Sequence, residues 1–178
     1  MKKKYFPAFF VFIFSLLFQT ALRSQIEYTN VSSGIKYQYI GTYEVSRLDS
    51  ILTVEASSFS HLDVTYTKAE NPVKLYRVIY SSVIPELNNK PTSASGLIAI
   101  PENGKNNMPV VSYQHGTVFT KTEVPSNPEE SLETKLMIAQ FSGQGYILIA
   151  ADYFGKGLSS EPDSYQVKAS TQQACLDM

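Results

Sequence analysis

Two short runs carry residue types that could do chemistry. The first is His115-Gly116-Thr117, which follows the apolar run Pro109-Val110-Val111-Ser112-Tyr113 without a break. Acyl transfer passes through a tetrahedral oxyanion that needs fixed N–H donors, and a glycine lets main-chain amides come close to it. A plain turn with a surface histidine fits the same residues. The second run is Asp152-Tyr153-Phe154-Gly155-Lys156-Gly157-Leu158-Ser159, after Tyr146-Ile147-Leu148-Ile149-Ala150-Ala151. Its glycines suit a tight loop, and Gly155-Lys156-Gly157 lacks the spacing of a phosphate-cradling loop. Tyr153, Phe119 and Phe154 could line a mouth near these runs or simply pack. The two histidines, His61 and His115, stand far apart with no Cys/His cluster, so no metal set is expected. His61, in a serine-rich stretch, reads as a surface residue, and the chemistry considered needs no cofactor.

These runs are positioned by recognisable elements. Val73, Leu75, Tyr76, Val78, Ile79 and Tyr80 form a β-branched and aromatic segment, and the stretch from Pro85 to Pro91 is a turn-rich break. Ser93 to Ile100 then reads as a second strand ended by Pro101, and the short polar link makes the two an antiparallel pair. Val110 to Tyr113 is apolar without alternation, which predicts burial on both faces. Over Ser131 to Phe141, Leu132, Leu136, Ala139 and Gln140 recur at helical spacing, with Glu129 and Glu130 suited to the helix start and Gly143 and Gly145 to its end. The strand Tyr146 to Ala151 follows, so strand, helix and strand form a βαβ unit with a parallel pair. Thr171, Ala174, Cys175 and Met178 share helical spacing in the last segment. Upstream, Ser46-Arg47-Leu48-Asp49 has capping-box spacing before Leu48, Ile51 and Leu52, predicting one amphipathic helix in an otherwise helical or irregular extension over 25–72.

The order of these parts resembles the N-terminal half of the α/β-hydrolase superfamily, and more closely its secreted lipase and esterase-like branch. The resemblance covers Val73 to Met178. It implies an antiparallel strand pair leading into a parallel sheet with crossover helices. It also implies that the backbone N–H of Thr117 is an oxyanion-hole donor, with Gly116 and His115 as its supporting loop. Asp152, Tyr153, Gly155 and Gly157 would form the structural loop after the next strand, with Asp152 no triad member. The superfamily's nucleophile sits in a G-x-S-x-G elbow, followed by an acid and a histidine. Gly157-Leu158-Ser159-Ser160-Glu161 fails that pattern at its last position, and both histidines come too early to be the base. The catalytic triad is therefore expected beyond Met178, and residues 73–178 as a partial domain, truncated before the elbow. The activity implied is that of a serine hydrolase cleaving small-molecule or lipid esters. A serine peptidase of the same superfamily and a non-catalytic binding protein are the alternatives.

Lys2, Lys3 and Lys4 precede an apolar run from Phe6 to Phe18, and polar residues follow at once. A run of about a dozen residues is short of the roughly 20 that span a membrane, so an export signal over 1–24, cut near Ser24-Gln25, is expected in place of a stable anchor. Its removal from 178 residues leaves 154 and takes four cations, so the remainder carries 11 basic against 16 acidic residues. That net −5 gives no reason to expect a nucleic-acid partner. Cys175 has no mate within the chain, and either pairs elsewhere or packs as a small helix residue.

Overall fold

The computed structural model describes residues 27–60 and 64–178. The expected export signal, its cleavage site and His61 lie outside these residues.

Alternating side chains build the sheet first. Ile35-Lys36-Tyr37-Gln38-Tyr39 alternates with period two, the pattern of a strand with two unlike faces. It lies in β2 (Ile35–Tyr43), which pairs antiparallel with the short β1 (Thr29–Ser32). β2 also pairs antiparallel with β3 (Val73–Ile84), so these two strands belong to the same sheet as everything after residue 73. This corrects the expectation of a helical or irregular extension over 25–72. β3 in turn pairs with β4 (Lys90–Pro101) in unbroken register from Val73↔Pro101 to Ile84↔Lys90. The predicted antiparallel pair is present and longer at the turn end, because Asn88 and Asn89 take the left-handed conformation (φ 54° and 57°) and close the link tightly.

The remaining strands are β5 (Val110–Tyr113) and β6 (Ile147–Ala151), and the sheet order is β1-β2-β3-β4-β6-β5. β5 and β6 run parallel, Val110 beside Ile147 and Tyr113 beside Ala150, as the βαβ reading requires. The burial predicted for β5 is not found: Val110 is 57 % exposed, Ser112 is exposed and only Tyr113 is buried. Among the described residues β5 has a neighbour on one side only, so its apolar residues meet a partial surround.

Helices cover both faces. The helical stretch of α1 (Val45–Ser50), a π turn (Ile51–Glu55) and α2 (Ala56–Ser60) buries Leu48, Ile51 and Leu52 on the face that also takes Val73, Leu97 and Leu148. Its first residue is two positions earlier than a capping box at Ser46 needs: Glu44 is the N-cap and makes no side-chain cap. Asp49 instead accepts the Ala69 N–H at 2.9 Å. On the same face lies α3 (Leu132–Phe141), where Ser131 caps Thr134 N–H at 3.2 Å and Leu136, Ile138 and Ala139 are buried. Ile138, and not Gln140, completes its inward side. The opposite face receives α4 (Lys168–Asp177), tied to β3 where Tyr80 Oη donates to the Ala174 carbonyl at 2.7 Å. Ala174 is its buried anchor, alongside Ser170, while Thr171, Cys175 and Met178 are only half-buried.

Candidate active site

Parallel pairing of β5 and β6 sends their C-terminal loops out at the same end of the sheet, where open α/β sheets carry their sites. The two runs picked out by their chemistry therefore meet. The His115 ring stacks on Tyr153, with centroids 4.1 Å apart and planes 24° from parallel. Tyr153 Oη donates to the His115 carbonyl at 3.1 Å. His115 is buried, with Nδ1 2.8 Å from the Gly116 carbonyl and Nε2 3.2 Å from the Asp152 carbonyl, so the protonated ring nitrogen donates to main chain. Tyr153 holds φ +67°, a left-handed conformation that costs an aromatic residue energy and that this double contact maintains.

Past His115 the amides divide. Gly116 N–H donates to both carboxylate oxygens of Glu133, at 3.3 Å each, from the first turn of α3. The Thr117 amide has no hydrogen-bond partner among the described residues, and Thr117 is exposed. It borders a cleft of about 490 Å³ whose walls include His115, Tyr153, Lys156, Tyr165 and Thr171. Across the cleft, Tyr165 Oη lies 3.4 Å from Thr117 Oγ1. An unsatisfied N–H beside a cavity is a donor that a ligand oxygen can take.

Asp152 faces the other way. It is fully buried, and its Oδ1 accepts the Ser126 N–H at 2.8 Å while Oδ2 accepts the Ser95 hydroxyl at 2.5 Å. Ser95 Oγ also accepts the Leu158 N–H at 2.9 Å, which joins β4 to the 152–159 loop. Burial pushes the Asp152 carboxyl above its ordinary range, and the donors from Ser126 and Ser95 oppose that rise. Arg77 on β3 fastens the 122–127 segment from behind, donating through Nε to the Ser126 carbonyl at 2.9 Å. Gly157 (φ +55°) must be glycine, since a Cβ there would overlap Asp152 Oδ2 and Ser95 Oγ. Gly155 (φ +82°) packs directly on the Asp163 backbone.

Of the three aromatic residues that could line a mouth, Tyr153 does. Phe154 is 1 % exposed and belongs to the core beneath α4, whereas Phe119 is 91 % exposed beyond the cleft. Cys175 is an unpaired, half-buried thiol on α4, and burial raises its pKa. The sequence reading missed Glu133, Ser95, Ser126 and Tyr165. The first three act on the site through hydrogen bonds at sequence separations of 17, 57 and 26, which no local pattern reports. Lys156 did carry a signal, since it lies between two glycines.

No family model matches the chain, and neither does any protein of curated function. Solved structures do. A hydrolase-like protein of Legionella pneumophila superposes with a TM-score of 0.62 at 24% identity, over 84% of this chain and 38% of that one. The rice cell wall degrading esterase LipA of Xanthomonas oryzae gives 0.63 at 20% identity, over 79% and 34%. The chain thus spans little more than a third of either neighbour's length. At such identities the likeness speaks for the fold, and it agrees with the mixed six-stranded sheet and its parallel β5–β6 pair. This chain has the fold of the α/β-hydrolases, over a part of their length.

Proposed function

We propose that the chain is part of an exported serine hydrolase that cleaves carboxylic esters through an acyl-enzyme, and that Thr117 N–H is one donor of its oxyanion hole. The carrying observation is the unpaired Thr117 amide at the cleft, next to a Gly116 amide already bound to Glu133. In this reading a serine hydroxyl adds to the ester carbonyl carbon while a histidine takes its proton. The carbonyl oxygen becomes an oxyanion that Thr117 N–H stabilises. Collapse breaks the bond to the alcohol, which leaves with the proton from the histidine, and water then releases the acid by the same steps. In this reading no residue of 1–178 is assigned as the nucleophilic serine, the histidine or the acid. Asp152, with both carboxylate oxygens committed to Ser126 and Ser95, serves as scaffold.

The test uses the product of the complete reading frame with nitrophenyl esters as substrates. Thr117→Ala keeps the amide and is expected to keep most activity, whereas Thr117→Pro deletes the donor and is expected to cost roughly 10²-fold or more in kcat. Equal turnover by wild type and a folded Thr117→Pro variant rules the assignment out.

Export is supported by the Lys2 to Lys4 cluster and the short apolar run. Sequencing the exported protein is expected to read from Gln25, and an intact Met1 terminus in the membrane fraction would mark the segment as an anchor instead.

A further inference from the structure

The segment 116–121 crosses the cleft mouth largely in solvent: Gly116 and Thr117 are exposed, and Phe119 is 91 % exposed. Apolar packing does not hold it, so polar anchors must. Glu133 takes the Gly116 N–H, Lys156 Nζ donates to the Val118 carbonyl at 3.3 Å, and Gly157 N–H donates to the Lys121 carbonyl at 2.9 Å. The first holds the peptide immediately before the one that carries Thr117 N–H, and the second holds the peptide two further on.

Lys156 is an unusual residue for such a task. It is 8 % exposed, and its ammonium sits between the Val118 carbonyl and Asp163 Oδ2, 2.9 Å away. Taking an ammonium out of water is costly, and a partner that is itself half-exposed offsets that cost only in part. The flanking glycines make the placement possible: Gly155 and Gly157 both hold positive φ, and Gly155 lies directly against the Asp163 backbone. Asp163 Oδ1 accepts the Tyr165 N–H at 3.0 Å, and Tyr165 Oη approaches Thr117 Oγ1. Lys156 thus joins Val118 to Asp163, and through the Tyr165 N–H and side chain that circuit returns to Thr117.

We infer that Lys156 is a positioning residue of the oxyanion loop, fixing the Val118 peptide and with it the aim of the Thr117 N–H. The inference rests on Thr117 being the oxyanion donor. A donor misplaced by about 1 Å loses most of its effect on a developing charge, and such displacements cost up to about 10²-fold in rate. The ground-state carbonyl depends on the donor far less, so the loss falls on kcat and on transition-state analogues.

The experiment compares wild type, Lys156→Met, Lys156→Arg and Thr117→Pro in the product of the complete reading frame. It reads kcat and KM on a nitrophenyl ester per titrated active site, the Kd of an alkyl boronic acid that forms a tetrahedral adduct, and the melting temperature. Lys156→Met is expected to lower kcat by roughly 10- to 10²-fold, with KM within about threefold. Boronate affinity should fall by a similar factor, and Lys156→Arg should restore most of both. A purely structural lysine lowers the melting temperature and leaves kcat per titrated site within about twofold of wild type; that result, with Thr117→Pro inactive, overturns the role of Lys156 alone. Full activity in Thr117→Pro overturns the donor assignment beneath it. Should Lys156→Met not accumulate as folded protein, Lys156→Gln carries the same readouts.

Discussion

Ser95 Oγ and Asp152 Oδ2 stand 2.5 Å apart in the interior, both residues fully buried, 57 positions apart in the chain. With the Ser126 and Leu158 amides they form a closed polar set that joins β4, the 122–127 segment and the 152–159 loop. Such sets are stable when every member is satisfied and costly when one is removed.

Asp152→Ala leaves the Ser126 N–H and the Ser95 hydroxyl without a buried acceptor and is expected to destabilise the protein by roughly 2–5 kcal/mol; Asp152→Asn, which keeps one acceptor, costs about 1 kcal/mol. The pH dependence has a definite sign. Burial raises the folded-state pKa of Asp152 above the ordinary 3.8, so the folded state holds its proton more tightly than the unfolded chain. Its contribution is fully present below 3.8 and declines as pH rises through the folded value. The wild type's advantage over Asp152→Asn is therefore expected to shrink between pH 3 and neutrality, measured as the difference of two denaturant midpoints. An advantage that grows with pH would falsify the direction.

Gly157→Ala meets both a positive φ and the atoms of Asp152 and Ser95, so roughly 3 kcal/mol or more of stability is expected to be lost. Gly104 has a similar φ of +68° with nothing within 4 Å of a Cβ, and Gly104→Ala is expected to cost only about 1–2 kcal/mol. Thermal melts of the two variants decide the matter, and equal losses would mean that the crowding at Gly157 relaxes freely.

Residues 25–178 expressed by themselves are expected to self-associate. Among the described residues β5 has no strand partner on one side, where Val110 is exposed, and the sheet face around Val31, Ile35 and Tyr37 adds apolar surface. Light scattering after gel filtration should show oligomers, and Val110→Lys should shift them toward smaller species. A monodisperse wild-type monomer with a cooperative melt contradicts this.

Local patterns determined a good deal. The strand pair before residue 101, the βαβ unit over 110–151 and the C-terminal helix follow from residue types and periods that act within a dozen positions. The pairing of His115-Gly116-Thr117 with the Asp152 loop also follows, because parallel strands joined by a helix must present their ends together. The alternation from Ile35 to Tyr39 carries a signal for β2 as well, but nothing local to it tells that this strand pairs with β3, more than 30 residues on. What only the tertiary structure decided is which polar atoms meet. That Glu133 takes the Gly116 amide and leaves Thr117 free, that Lys156 reaches Val118, and that Phe154 packs while Tyr153 stacks on His115 all depend on contacts across many residues. A sequence pattern reports the average environment along one element. A hydrogen bond between elements depends on distances of a few tenths of an ångström, set only when the sheet, its helices and its loops are packed together.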